Sequence, residues 1–241
     1  MSSIRTRSVA AAVALALLPA VASAGVVVAS SGPSAASYPV GRKLGAGESV
    51  VLRAGDSLTV LDGNGTRLLH GAGSFALGQR ARVSKRGTFA VLTERRSATR
   101  MRTGAVRGVG SGPATQPNLW YVDVGRPGKV CVADPAGVRL WRSAADKLAS
   151  YTVTAGAGGR RQQVIFAPGE ALAPWDTAAM PLVSGTAYHI AGADGASPGA
   201  ITFAMLPQAA ADPEGLAQQL IDNGCTQQLE TLANAMLLAQ G

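Results

Sequence analysis

The feature that most limits how this chain can fold is a series of short β-branched and leucine runs, each closed by turn residues. Between residues 40 and 94 these runs recur at intervals of six to ten residues. The turns between them include Ala54-Gly55-Asp56 and Asn64-Gly65, and the latter favours a hairpin because both of its residues tolerate positive φ. This spacing predicts an all-β module over residues 40–96.

The same pattern resumes in the second half of the chain. Strand-like runs cover residues 120–124 and 129–133, and the turn after them, Asp134-Pro135-Ala136-Gly137, has residue types that a type I turn prefers. Further runs follow in pairs up to residue 206. They predict a second β domain over residues 119–207, built as a sandwich or a small barrel.

The C-terminus has helical rather than strand periodicity. Asp212 can cap a helix with Pro213 at its first position, and Leu216 and Leu220 continue an apolar stripe. We therefore expect an α-helical hairpin over residues 208–241. The predicted fold class is mainly β, with two small β modules and this C-terminal helical hairpin.

The N-terminus is organised like a secretory signal peptide. Its parts are Arg5 and Arg7, an apolar run over residues 9–18, Pro19 and the triplet Ala22-Ser23-Ala24. We expect a signal peptide over residues 1–24, cleavage before Gly25, and a periplasmic or secreted protein. The alternative is an N-terminal anchor in the inner membrane, because residues 9–29 approach the ~20 apolar residues that cross a bilayer.

Two segments lack hydrophobic periodicity. Residues 25–39 are mostly small and polar, which predicts a flexible leader. Residues 97–118 are rich in glycine, proline, serine and threonine and contain three arginines, which predicts a basic linker between the two β modules.

The chain has two cysteines, Cys131 and Cys225, and export would place them in an oxidising compartment. We expect them to form a disulfide that ties the helical hairpin to the second β domain. His70 and His189 are isolated and lack the spacing of a metal site. We therefore predict no metal and no cofactor.

Positive charge is concentrated between residues 80 and 107, where nine basic residues accompany one acid. Residues 79–83 and 88–93 are predicted to form a hairpin across residues 84–87, with one cationic face. The candidate binding surface comprises Arg80, Arg82, Lys85, Arg86, Arg95 and Arg96. An anionic glycan or lipid would suit it, and a solvated hairpin face is the alternative. Nucleic acid is excluded by export and by the single aromatic residue of the stretch, Phe89.

The three tryptophans lie in the second half of the chain. Trp120 and Trp141 occupy strand-like runs and are predicted to be core residues. Trp175 lies between Pro174 and Asp176, in a loop-like context, and is predicted to be an exposed contact residue.

Several phrases in the first module resemble the FecR-like domain, a periplasmic β-module named for the ferric-citrate regulator. They are residues 41–44, Leu52-Arg53-Ala54-Gly55-Asp56-Ser57-Leu58, Gly65-Thr66-Arg67-Leu68-Leu69 and Gly71-Ala72-Gly73-Ser74. The resemblance covers about a quarter of the chain, within residues 40–94. It implies a compact module of stacked β-sheets outside the cytoplasm.

No catalytic constellation is visible in the sequence, since neither histidine lies near a nucleophile elbow. The sequence therefore favours an exported, non-enzymatic envelope protein that binds or scaffolds other envelope proteins. The alternative is a binder of anionic polymer or lipid through residues 80–107. A hydrolase of unrecognised type is the third hypothesis.

Overall fold

The computed structural model describes residues 23–62, 65–77, 86–94, 116–193 and 199–238. Within these ranges the chain is mainly β, with fourteen strands and three α-helices. The first seven strands are β1 (Ser23–Ser31), β2 (Lys43–Gly45), β3 (Ser49–Leu52), β4 (Ser57–Asp62), β5 (Gly65–His70), β6 (Gly73–Ala76) and β7 (Tyr121–Asp123). The other seven are β8 (Gly128–Val132), β9 (Arg139–Trp141), β10 (Ala149–Ala155), β11 (Arg161–Phe166), β12 (Leu172–Pro174), β13 (Ala187–Gly192) and β14 (Gly199–Met205). The helices are α1 (Arg86–Thr93), α2 (Pro213–Asp222) and α3 (Thr226–Leu238).

The first β module consists of an antiparallel sheet in the order β2-β1-β4-β5 and a two-stranded sheet of β3 and β6. Its core includes Val27, Leu44, Val50 and Leu58, which come from both sheets. The predicted hairpin is confirmed, because β4 and β5 pair antiparallel with Asp62 opposite Gly65. Gly65 is the first residue of β5 and not part of the turn, and residues 63–64 between the strands lie outside the described residues.

The prediction of a flexible leader over residues 25–39 is wrong. β1 is an inner strand of the first sheet, paired with β2 on one side and β4 on the other. Val27 packs toward the two-stranded sheet, whereas Val26 and Val28 face the helices. A strand buried on both faces requires a continuous apolar run, and Val26-Val27-Val28 supplies it.

After β1 the chain turns at Gly32, whose φ of +97° is accessible mainly to glycine. A short 3-10 turn, Ala35–Ser37, follows. Asp56 holds this segment, because its carboxylate accepts hydrogen bonds from the backbone N–H of Ser34 (2.8 Å) and of Arg53 (2.5 Å). Burial raises the pKa of Asp56, but these hydrogen bonds and the positive charge of Arg53 outweigh it and lower the pKa below the usual 3.8.

Acid should therefore loosen this corner of the first module. A carboxyl whose pKa is lowered by folding stabilises the protein at pH values above the pKa that it has in the unfolded chain. This stabilisation is lost as the pH falls through the lower pKa of the folded state. We expect unfolding followed from pH 6 to pH 2 to lose stability below pH 3.8 in the parent protein, with a weaker loss in Asp56→Asn. Identical pH profiles for the two proteins would contradict this role.

The second β module is a sandwich and does not form a closed barrel in its described residues. A five-stranded sheet, in the order β11-β10-β13-β14-β8, shares one core with a three-stranded sheet, in the order β12-β9-β7. Pairing is antiparallel except that β14 runs parallel to β8 and β7 runs parallel to β9. Large buried side chains, among them Phe166, Tyr188 and Phe203, fill the space between the sheets.

The predicted strand over residues 88–93 is wrong, since Arg86–Thr93 is the helix α1. Phe89 and Leu92 lie three residues apart and pack into the same core, as neighbours on one face of a helix do. In a strand, residues three apart would lie on opposite faces. The Thr93 hydroxyl also donates to the Phe89 carbonyl at 2.8 Å, one turn back. The partner strand predicted over residues 79–83 lies outside the described residues.

The C-terminal helical hairpin is confirmed, with Asp212 accepting a capping hydrogen bond from the Gly215 N–H at 2.7 Å. Its helices pack against both β modules: α2 and α3 contact β1, α2 also contacts β4, and α3 contacts β5 and β8. The shared core includes Val26, Val28 and Leu61 of the first module, Leu216, Leu220, Leu232 and Met236 of the helices, and Cys131 and Leu206 of the second module. The hairpin therefore joins the two β modules instead of extending only from the second.

Candidate functional site

A disulfide joins Cys131 of β8 to Cys225 at the corner between α2 and α3, as the sequence predicts. Both residues are completely buried, and their Cα atoms are 5.9 Å apart. The bridge closes a separation of 94 residues and fixes the helical hairpin to the edge of the five-stranded sheet. No described cysteine is free.

Gln228, which sequence reasoning missed, reinforces the same junction. Its side chain is 3% exposed and forms three hydrogen bonds. Its amide oxygen accepts from the Cys131 N–H at 2.6 Å, and its amide nitrogen donates to the carbonyls of Cys131 (2.9 Å) and Leu119 (3.0 Å). The Gln228 amide thus pairs with the open edge of β8 as a neighbouring strand would.

Trp175 is not the exposed contact residue predicted from its context. It is 4% exposed, and its indole N–H donates to the Met180 carbonyl at 2.8 Å. Its ring packs edge-on against Tyr188 and Phe203, with centroids 5.3 and 5.4 Å away. Trp175 is therefore a core residue of the sandwich, because the rings of β13 and β14 cover a residue that the local sequence leaves in a loop.

The predicted cationic surface cannot be assembled from the described residues. Arg80, Arg82, Lys85, Arg95 and Arg96 lie outside them. Arg86 begins α1 and is not in a hairpin turn. Most of the predicted linker over residues 97–118 also lies outside, and the described part resumes at Gln116.

One buried cation is used structurally. The guanidinium of Arg142 donates to the carbonyls of Glu170 (2.9 Å), Ala167 (3.0 Å) and Ala145 (3.4 Å) and lies 5.0 Å from the centre of the Phe166 ring. These contacts close the loops at one end of the sandwich. Arg142 is buried and its guanidinium is hydrogen-bonded to these carbonyls, so it is not part of a surface that a ligand could reach.

An open groove lies where α1 approaches the segment before α2. It has a volume of about 610 Å³, within the range of roughly 300–1,000 Å³ that is common for binding sites. Its lining is mostly apolar and consists of Phe89, Ala90, Thr93, Glu94, Trp120, Ala209, Ala210 and Ala211. Trp120, predicted to be a core residue, is instead half-buried in the wall of this groove.

Hydrogen bonds hold one wall of the groove. The last two carbonyls of α1 accept hydrogen bonds from the segment that leads into β7: Leu92 from the Leu119 N–H and Thr93 from the Trp120 indole, both at 3.0 Å. The carbonyl of Glu94, directly after α1, accepts from the Asn118 amide at 2.9 Å. The exposed C-terminal carbonyls of a helix need such partners. The bonds therefore fix both the end of α1 and the orientation of Trp120.

The opposite wall is held by α2. The side-chain oxygen of Gln219 accepts from the Ala210 N–H at 2.9 Å, and its amide nitrogen donates to the Gln208 carbonyl at 2.9 Å. Hydrogen bonds within the chain thus anchor both walls, as is typical of preformed binding sites.

No protein-family model, curated protein or solved structure matches this chain. The resemblance of residues 40–94 to FecR-like domains stays a prediction. No helix of the described residues is both long and apolar enough to cross a membrane. Among the same residues, no three of His, Cys, Asp and Glu lie close enough together to hold a metal ion.

Proposed function

We propose that this protein is an exported, non-enzymatic envelope protein that binds a segment of another envelope protein in the groove between α1 and residues 209–211. The observation that carries the proposal is the pair of half-buried aromatic rings, Phe89 and Trp120, in a groove whose two walls are already anchored. Aromatic residues in preformed grooves are where binding energy concentrates at protein interfaces.

A peptide segment suits this groove better than a small polar ligand. The wall carbonyls of Leu92, Thr93 and Glu94 are already hydrogen-bonded within the protein, so the groove offers mainly apolar contact. An aliphatic or aromatic anchor side chain would fit that surface.

Site-specific photo-cross-linking in the native envelope tests the proposal. A photoreactive residue in place of Ala90, an exposed residue of the groove, should give one discrete protein adduct. The same residue in place of Asn234, exposed on α3 and outside the groove, should give none. The second substitution Ala211→Trp, which would fill the groove from its exposed rim, should abolish the adduct at position 90.

The sequence of the cross-linked peptide provides the decisive control. It should contain an aliphatic or aromatic side chain that can enter the groove. Equal adducts from positions 90 and 234, an adduct that survives Ala211→Trp, or a peptide without an aliphatic or aromatic side chain would each contradict binding in the groove.

A second function, binding of an anionic polymer through residues 80–107, rests on the nine basic residues and single acid of that stretch. Replacing Arg80, Arg82 and Arg86 together with glutamine should weaken binding to acidic polymer. Binding should also weaken as salt rises, because exposed charges act over about a Debye length, ~8 Å at physiological salt. Binding that is insensitive to the triple replacement would leave the stretch as a solvated surface.

A further inference from the structure

The outward side of the five-stranded sheet forms a polar surface that the groove does not use. Residues on this side alternate with core residues such as Val153, Val164 and Ile190. We call it the outer face. It comprises every second residue over 161–165 of β11, 150–154 of β10, 187–191 of β13 and 200–202 of β14, counted from the first of each range, together with Lys129 of β8.

The helices limit this face at one end. Cys131 of β8 and Ala204 of β14 lie on the same side of the sheet as the outer face, but the helical hairpin buries them. Beyond them, Arg161, Gln163, Thr152 and His189 are exposed. Among the described residues, the outer face is therefore the part of this side of the sheet that the helical hairpin does not cover.

Strand register lines up the polar side chains of the outer face in rows. Arg161 lies opposite Thr154, and Thr154 lies opposite His189. Gln163 and Thr152 form the next row, where Gln163 lies near enough to Ser150 to donate to its hydroxyl at 3.0 Å. Because neighbouring strands are about 4.8 Å apart, the backbones of Arg161 and His189 are separated by about 10 Å.

The charge on the outer face has one sign. None of its positions holds Asp or Glu, whereas Arg161 and Lys129 are exposed cations without a carboxylate partner in the described part of the chain. Threonine, serine and glutamine supply hydroxyl and amide groups between them. Such a surface complements a chain that carries both negative charges and hydroxyl groups.

We propose that the outer face binds an anionic glycan, with Arg161 and Lys129 pairing with its acidic groups and Thr152, Thr154 and Gln163 hydrogen-bonding its hydroxyls. This goes beyond the function proposed for the groove, since both the surface and the class of partner differ. A lipid bilayer fits the face less well. Surfaces that enter the interface carry large apolar side chains, and Ile165 at the β11 edge is the one such residue here.

Binding to polygalacturonate, a polymer of acidic sugars, tests the proposal. The parent protein should bind it at low salt and should not bind neutral dextran. Lys129→Gln/Arg161→Gln should weaken binding about tenfold, because both charge pairs are lost. Thr152→Glu, which places a negative charge at the centre of an exposed row, should weaken it by a similar factor.

Three comparisons separate this surface from other sources of affinity. In the Arg80→Gln/Arg82→Gln/Arg86→Gln background, which weakens the basic stretch over residues 80–107, the outer-face replacements should still reduce affinity by the same factor. Lys43→Gln/Arg53→Gln removes the same charge from exposed positions of the first module and should change affinity less than about twofold. Vesicles of phosphatidylglycerol should bind more weakly than polygalacturonate. Unchanged affinity in the outer-face variants, equal losses in the control variant, or preference for the vesicles would each overturn the proposal.

Discussion

Replacing Cys131 and Cys225 together with serine should lower the free energy of unfolding by about 4 kcal/mol. The bridge closes a separation of 94 residues, and in the chain-entropy model a loop of that length restricts the unfolded chain strongly. The loss should be felt across the protein, because the hairpin that the bridge anchors contributes side chains to a core shared with both β modules. Urea unfolding of the parent and the double variant measures it.

Reduction provides the control for this substitution. The parent protein unfolded in the presence of a reductant should match the double variant, because both lack the same covalent link. A double variant within about 1 kcal/mol of the oxidised parent would show that the hairpin stays attached through packing alone.

Gln228→Leu should lower the free energy of unfolding by about 3 kcal/mol. Leucine fills a similar volume, but it leaves the N–H and carbonyl of Cys131 and the carbonyl of Leu119 without the partner that Gln228 supplies. Each buried polar group that loses its partner costs about 1–3 kcal/mol, and neighbouring groups relax enough that the costs do not simply add.

The adjacent residue gives a matched control. Gln227 donates to the Pro127 carbonyl at 2.5 Å, in an exposed position where water can replace the bond. Gln227→Leu should therefore cost less than about 1 kcal/mol. Equal losses for Gln227→Leu and Gln228→Leu in urea unfolding would show that Gln228 does not close the edge of β8.

Strands bounded by strong turn residues could be predicted from the sequence with near-correct limits. β3 and β4 lie on either side of the predicted turn Ala54-Gly55-Asp56. Asp134-Pro135-Ala136-Gly137 also forms the expected turn, with the Asp134 carboxylate accepting from the Ala136 N–H. The disulfide could also be predicted, because the chain has two cysteines and these leave one possible pairing.

The segments that were predicted wrongly depend on contacts distant in sequence. β1 was missed because Val26-Val27-Val28 continues the apolar run of the N-terminus, and only burial between two layers distinguishes a central strand from such a run. α1 is one eight-residue helix with β-branched residues, and the carbonyls at its C-terminal end are satisfied by Asn118, Leu119 and Trp120. The secondary-structure propensities of the local residues do not reveal such contacts with distant parts of the chain.

The groove was beyond sequence reasoning for the same reason. It combines α1, Trp120 and residues 209–211, which are separated by more than twenty residues at each step. The half-buried Trp120 was the available signal, but its strand-like neighbours favoured a place in the core. Trp175 shows the opposite case, since its loop-like neighbours concealed a core residue.

The central claim is that the disulfide-anchored hairpin joins the two β modules into one unit and thereby builds the groove. Amide hydrogen exchange of the oxidised and reduced protein tests it most directly. We expect reduction to speed exchange together in α2, α3 and β8, in β1 and β4 of the first module, and in α1 beside the groove. Faster exchange confined to α2 and α3, with β1, β4 and α1 unchanged, would contradict the claim.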